Sequence, residues 1–132
     1  MYHPKTIEWD ARMKEMFDRI DTILEERHGG AWKLRRNRPA LGETANPEAD
    51  GLFNLGVFFD PGFGSRLGRG YLVEIDLAAG EEIPPAAREA IELEVLELLR
   101  RFLPEHFPER RLEVDREGRL YKIHGDLSLG EL

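Results

Sequence analysis

Apolar residues recur at steps of three and four in two stretches of the chain, which is the pattern of an amphipathic helix. The first stretch predicts a helix from about Ile7 to His28, and the two glycines that follow favour its end. The second predicts a helix that opens at Pro84–Pro85 and ends near Leu103, before Pro104. The apolar stripes are Met13, Met16, Phe17, Ile20, Ile23 and Leu24 in the first, and Ala87, Ala90, Ile91, Val95, Leu98 and Phe102 in the second.

Elsewhere apolar and polar residues alternate, as in strands that bury one face. The alternation predicts strands over Ala31–Arg36, Leu52–Asp60 and Arg69–Leu77, and a hairpin over Arg111–His124. Only residues 61–68 separate the second strand from the third. This segment is too short for a crossover helix, so the two strands are expected to be antiparallel.

The register of the last hairpin depends on its turn. A two-residue turn at Glu117–Gly118 pairs Val114 with Tyr121 and Leu112 with Ile123, and is the preferred prediction. A three-residue loop, which sets Leu112 against Lys122, is the alternative.

These elements predict an α+β fold in the order α-β-β-β-α-β-β. We expect a mostly antiparallel sheet of about five strands, with two amphipathic helices on one face. Residues 1–132 are expected to form a single globular domain, and residues 37–51 a loop long enough to be mobile. The second sheet face is then either exposed or buried by another copy of the chain.

Composition narrows the function classes. The apolar fraction of 41% is too high for a disordered chain, and the absence of cysteine excludes disulfides, thiolate metal sites and a cysteine nucleophile. The net charge of −7 disfavours broad nonspecific binding to nucleic acid, whose phosphates are also negative. No apolar run approaches the roughly 20 residues that span a bilayer, and charged residues interrupt the N-terminus where a secretory signal would be apolar. We expect a cytoplasmic protein that does not contact membranes.

A glycine-rich loop over residues 61–70 is the first candidate site. Backbone N–H groups in such a loop bind anions in other proteins, and arginines clamp them. The spacing matches neither a P-loop nor a dinucleotide fingerprint, and the alternative is a long hairpin connection whose glycines take positive φ. The candidate anion-binding residues are Gly62, Gly64, Ser65, Arg66, Gly68 and Arg69.

Carboxylates and a histidine form a second candidate. Glu74 and Asp76 share one face of a strand, and with His124 they are candidates for acid–base work or metal binding. His124 also lies near Glu113 and Asp115 in the hairpin, as an acid–base pair or as a plain surface histidine. No metal-binding motif is present, so neither a metal nor a cofactor is expected.

A basic segment is the third candidate. Its cations surround an aromatic side chain, as in grooves that bind single-stranded nucleic acid. The alternative is an edge strand whose cations prevent sheet-to-sheet aggregation. The segment comprises Trp32, Lys33, Arg35, Arg36 and Arg38.

Three functions remain open. Because no catalytic motif is present, we favour a non-enzymatic binding or interaction module that self-associates through its sheet, as a homodimer or with a protein partner. One alternative is an anion-handling enzyme or ligand-binding protein that uses residues 61–70 with Arg66 and Arg69. The other is a local contact with single-stranded nucleic acid through residues 32–38.

Overall fold

A computed structural model of the chain describes residues 4–36, 38–40, 42–44 and 50–125, and the side chains from residue 7 onward. The described elements form one four-stranded antiparallel sheet in the order β1-β2-β4-β3. The α+β class, with two helices and an antiparallel sheet, is therefore confirmed. In chain order the elements are α1 (Pro4–His28), β1 (Phe53–Asp60), β2 (Gly70–Leu77), α2 (Pro85–His106), β3 (Leu112–Glu117) and β4 (Leu120–Gly125).

The strand expected over residues 31–36 is reduced to one bridge, so the described sheet has four strands and not five. Leu34 bridges to Ala79, and the Arg35 N–H donates to the Ala78 carbonyl over 2.8 Å. The backbone then turns, because the Arg38 N–H donates back to the Arg35 carbonyl over 3.0 Å. Alternating side chains are compatible with a strand but do not specify how far its backbone stays in register.

Both helices are longer than expected. α1 begins at Pro4, since a proline is tolerated in the first turn. α2 runs through Pro104 to His106, so the expected end before Pro104 is wrong. A proline in the last turn removes a single intrahelical hydrogen bond, and the Phe107 N–H still donates to the Leu103 carbonyl over 2.9 Å.

The final hairpin has a different register from the one predicted. Val114 pairs with Ile123 and Leu112 with Gly125, across a turn at Gly118–Arg119 where Gly118 has φ of 62°. The register is shifted by two residues, so each side chain keeps its predicted face. The hydrophobic pattern therefore does not distinguish the two registers, and the glycine that takes positive φ decides between them.

One hydrophobic core lies between the two helices and one face of the sheet. Trp9 of α1 stacks on Tyr71 of β2 and packs against Phe107, which follows α2, with ring centroids 5.7 and 4.5 Å apart. These aromatic contacts join both helices to the sheet. Core side chains with almost no exposed surface include Phe17, Ile20, Leu24, Leu55, Val73, Val95, Leu99, Phe102 and Ile123.

The chain order and the strand order share a simple symmetry. A helix followed by a hairpin occurs twice, and the two hairpins meet antiparallel at β2 and β4. β1 and β3 are thus the two edges of the described sheet. The face away from the helices carries most of the charged residues of the strands, including Asp60, Glu74 and Lys122, and also His124.

Candidate functional site

The glycine-rich loop folds over the open face of the sheet and buries Lys122. This side chain has no exposed surface, although it lies on the face away from the helices. Its Nζ contacts Asp60 Oδ2 at 2.7 Å and Glu117 Oε2 at 3.0 Å. The same atom donates to Ser65 Oγ at 2.9 Å and to the Gly68 carbonyl at 2.8 Å. Lys122 therefore links β1, β3 and the loop from its place on β4.

Gly70 leaves the space that Lys122 needs to reach Asp60. A Cβ at Gly70 would lie 2.8 Å from Lys122 Cγ and would collide with the Ile123 carbonyl oxygen. The lysine stem thus passes over a strand position that has no side chain. Gly62, with φ of 87°, packs directly against the backbone of Gly68 and closes the loop on itself.

The charges in this cluster stabilise one another. Burial opposes the charge on Lys122, but hydrogen bonds to Asp60 and Glu117 outweigh it and raise the pKa of Lys122 above its ordinary value. The bonds from Lys122 and from the Gly62 N–H lower the pKa of Asp60. Bonds from Ser65 and Lys122 lower the pKa of Glu117. All three groups are charged at neutral pH.

Ser65 has no free base beside it. Its hydroxyl donates to Glu117 at 2.8 Å and accepts from the Leu67 N–H at 3.1 Å and from Lys122. A charged lysine has no lone pair with which to take the serine proton. The distance between Ser65 and Lys122 resembles that of a catalytic serine–lysine pair, but their contacts serve to join the loop to the sheet.

Four backbone N–H groups of the loop already have partners within the loop or in Asp60 beside it. The N–H groups of Gly62, Ser65, Leu67 and Gly68 donate to Asp60, Gly62, Ser65 Oγ and the Ser65 carbonyl, respectively. Arg66, Arg69 and Gly64 are exposed, and so is Phe63, at 93%. The anion-binding hypothesis thus keeps two exposed guanidinium groups, while four of the backbone donors that it would use already have partners.

The sheet does not bring Glu74 and Asp76 together with His124. β2 and β4 pair at Tyr71–Ile123 and Val73–Tyr121, which places Glu74 and His124 toward opposite ends of the pairing. Asp76 instead makes a bidentate ion pair with Arg35, whose two terminal guanidinium nitrogens lie 3.0 and 3.1 Å from the two carboxylate oxygens. The partners of His124 come from β3.

His124, Glu113 and Asp115 lie on the same open face of the final hairpin. His124 is directly opposite Glu113, and its Nε2 lies 2.7 Å from Asp115 Oδ2. The three residues offer ligand atoms that all lie within 4.8 Å of one another. The contact of His124 with a β3 carboxylate, one of the two alternatives that the sequence left open, is present in the hairpin.

The residues of the basic segment contact different parts of the fold. Arg35 binds Asp76, and Arg38 donates to the backbone carbonyls of Asp50, Gly51 and Phe53. Trp32 is half-buried against the core, whereas Lys33 and Arg36 are exposed. Two of the four cations thus hold the fold together, and the nucleic-acid hypothesis is left with Lys33 and Arg36 as solvent-facing cations.

Sequence reasoning missed a set of buried acids. Asp21 and Asp50 are each 1% exposed and Glu25 is 6% exposed, and both oxygens of Asp21 lack a hydrogen-bond partner. Burial, followed by the negative charges of Glu25, Asp18 and Asp50, raises the pKa of Asp21 to about 8. The signal was present, because Asp21 continues the apolar stripe four residues after Phe17, and Glu25 follows after four more.

The outer edge of β1 is a further feature that sequence reasoning did not single out. At its first residue the outward backbone groups are covered, because the Phe53 N–H donates to Glu25 and its carbonyl accepts from Arg38. In an antiparallel pair every second residue directs its backbone N–H and C=O groups away from the partner strand. Leu55, Val57 and Phe59 therefore present these groups at the same edge as Phe53. A groove beside this edge is lined by Asp10, Met13, Lys14, Phe17, Val57, Phe58, Phe59 and Tyr71.

Comparison with known proteins places the chain in a family. Residues 4–125 match the model of a family described as "Uncharacterised protein". The chain is similar to an "Uncharacterized protein" of Borreliella burgdorferi, with 35% identity over 106 residues that cover 80% of this chain and 83% of the relative. No solved structure matches it. Within the part of the chain that the structure describes, no helix has the length and apolar character to cross a membrane. The chain belongs to this family of uncharacterised proteins.

Proposed function

We propose that the protein is a non-enzymatic interaction module that forms a homodimer by joining the β1 edges of two copies into one continuous sheet. The observation that carries the proposal is the unpartnered edge of β1. No described residue hydrogen-bonds the outward backbone groups of Leu55, Val57 and Phe59. The side chains of Phe58 and Phe59, at the same edge, are 45% and 54% exposed.

The two edges of the sheet differ in protection. β3 carries Glu113, Asp115, Arg116 and Glu117, and Arg100 of α2 donates to its Val114 carbonyl over 3.4 Å. β1 carries no charge before Asp60, its last residue. Charged side chains on an edge discourage strand addition, and an uncharged apolar edge favours it. Strand addition is therefore expected at β1.

The distribution of charge also favours association through the β1 edge over association through the open face of the sheet. The open face carries the carboxylates of Glu74, Asp76, Glu113 and Asp115, so two copies stacked face to face would repel each other. The groove beside β1 is lined by one acid and one base, Asp10 and Lys14, and Lys14 also pairs with Asp18 at 2.9 Å. Self-association through the sheet is thus proposed at its edge.

The shape of β1 suggests where the two-fold axis lies. If Val57 pairs with Val57 of the second copy, Phe58 lies opposite Gly56 of that copy on the open face. Gly56 has no side chain, and a Cβ placed there meets nothing closer than 3.9 Å. The exposed Phe58 ring then covers a flat backbone position on both sides of the axis. The expected cytoplasmic location and the homodimer expected from the sequence are kept in this proposal.

Sedimentation velocity or light scattering over a range of protein concentrations tests the proposal. We expect the natural chain to sediment as a dimer and Phe58→Lys to sediment as a monomer, because the added charges meet near the axis. Phe63→Ser is the matched control, since Phe63 is more exposed than Phe58 but lies in the loop. A natural chain that stays monomeric at every concentration, or a Phe58→Lys dimer of unchanged stability, would refute the proposal.

A further inference from the structure

Three potential metal ligands converge on the open face of the final hairpin. Glu113 and His124 are cross-strand neighbours, and Asp115 lies two residues further along β3 on the same face. Their positions are set by the antiparallel ladder of β3 and β4, which is more rigid than a loop. The side chain of His124 is held further, since only 13% of it is exposed.

The donor set suits a divalent first-row transition metal. Two carboxylate oxygens and one imidazole nitrogen lie within 4.8 Å of one another. Metal–ligand distances of about 2.0–2.2 Å need ligand atoms about 3.4 Å apart, which small side-chain rotations supply. Carboxylates alone would favour calcium or magnesium, and the imidazole shifts the preference toward zinc or manganese.

The contact between His124 and Asp115 is already arranged for a cation. Nε2 of His124 lies 2.7 Å from Oδ2 of Asp115. A divalent ion would bind the lone pair of Nε2, with the proton of the neutral imidazole carried on Nδ1. Arg100 reaches Asp115 only at 4.0 Å and is 58% exposed, so it does not fill the position.

One side of the cluster opens onto a cavity. Its wall includes Glu113 and Asp115 together with Arg100. Three protein ligands leave at least one coordination position for water or for an anion, and the guanidinium group favours an anion. We infer that Glu113, Asp115 and His124 bind a divalent transition-metal ion with an open position on the side of Arg100. The inference is independent of the proposed dimer, because β3 is the sheet edge remote from β1.

Titration with Co²⁺ and Zn²⁺ tests the inference directly. We expect one Co²⁺ per chain, with visible absorption bands that Zn²⁺ removes. His124→Ala and Asp115→Asn should each weaken binding at least tenfold. His28→Ala is the matched control, because His28 also contacts a carboxylate, that of Glu94 at 2.7 Å, but the described residues place no third ligand beside it.

A conservative variant guards against loss of fold. Glu113→Gln changes an exposed side chain, should leave the thermal transition unchanged, and should still weaken Co²⁺ binding at least tenfold. Weaker than millimolar binding by the natural chain would overturn the inference. Equal binding by the natural chain, Glu113→Gln and His124→Ala would overturn it as well, since the ion would then lie elsewhere.

Discussion

At the scale of single residues, two buried polar side chains differ in how they are satisfied. Asp21 has no exposed oxygen and no hydrogen-bond partner, whereas Lys122, equally buried, has four oxygen partners. Burial of a polar group costs free energy unless partners replace water. The two residues therefore respond in opposite ways to substitution and to pH.

Asp21 makes the protein less stable as pH rises. Its pKa is about 8 in the folded chain, against an ordinary value of 3.8, so the folded state holds a proton that the unfolded state loses. The free energy of unfolding therefore falls between about pH 4 and pH 8. Asp21→Asn should flatten this dependence and stabilise the protein at pH 8 by on the order of 2 kcal/mol.

Urea denaturation at pH 5 and pH 8 measures this effect. Glu26→Gln, an exposed change on the same helix, is the control and should leave the pH dependence as it is. Asp21→Asn with the same loss of stability from pH 5 to pH 8 as the natural chain would contradict the assignment.

Lys122 should be costly to replace. Lys122→Met keeps the apolar stem but leaves Asp60 and Glu117 together without a cation, and should lower the free energy of unfolding by about 2–4 kcal/mol. Its carboxylate partners have lowered pKa values, so their contribution is present at neutral pH and is lost as pH falls through those values. Chemical denaturation at pH 7 provides the measurement, and Arg66→Met, an exposed change in the same loop, should alter stability by less than about 0.5 kcal/mol.

At the scale of elements, the helices and the main strands could be predicted, because their periodicity extends over many residues. The stripe from Met13 to Leu24 alone indicates α1. The register of the last hairpin could not be predicted, since a shift of two residues preserves every face. The strand expected over residues 31–36 was wrong for a related reason, as side-chain alternation does not reveal the backbone turn after Arg35.

The glycine-rich loop could be recognised as unusual, but its role depends on a residue more than fifty positions away. Gly70 is needed because an added Cβ would collide with the Ile123 carbonyl oxygen and would lie 2.8 Å from Cγ of Lys122. Gly70→Ala should therefore lower the free energy of unfolding by about 1–3 kcal/mol. Gly30→Ala, where an added Cβ meets nothing within 4 Å, should not. The thermal transitions of the two variants measure the difference, and equal transitions would contradict the requirement for glycine at position 70.

At the scale of the whole molecule, the two sheet edges account for the proposed assembly. The sequence predicted a sheet with one uncovered face and suggested association through it. The described face is acidic, and its centre is covered by the loop that buries Lys122. The uncharged edge of β1 could be identified only from the strand order, because side-chain alternation does not show which strands lie at the edges of a sheet.

The metal ligands illustrate what long-range pairing adds. Glu113, Asp115 and His124 match no short motif, because β4 returns His124 to the two carboxylates across a hairpin. The sequence suggested the pairing of His124 with a β3 carboxylate, and the register brings all three ligand atoms together. Site residues that depend on register are thus the least accessible from sequence patterns.

Disulfide trapping at Val57 tests the β1-edge dimer most directly. The natural chain contains no cysteine, so Val57→Cys introduces a single thiol. Antiparallel neighbours across a two-fold axis have Cα atoms about 5.5 Å apart, within the range that a disulfide spans. Under mild oxidation Val57→Cys should form a covalent dimer that reductant reverses, and Phe63→Cys, at the exposed loop, should not. Val57→Cys that stays monomeric, or Phe63→Cys that crosslinks as readily, would contradict the account.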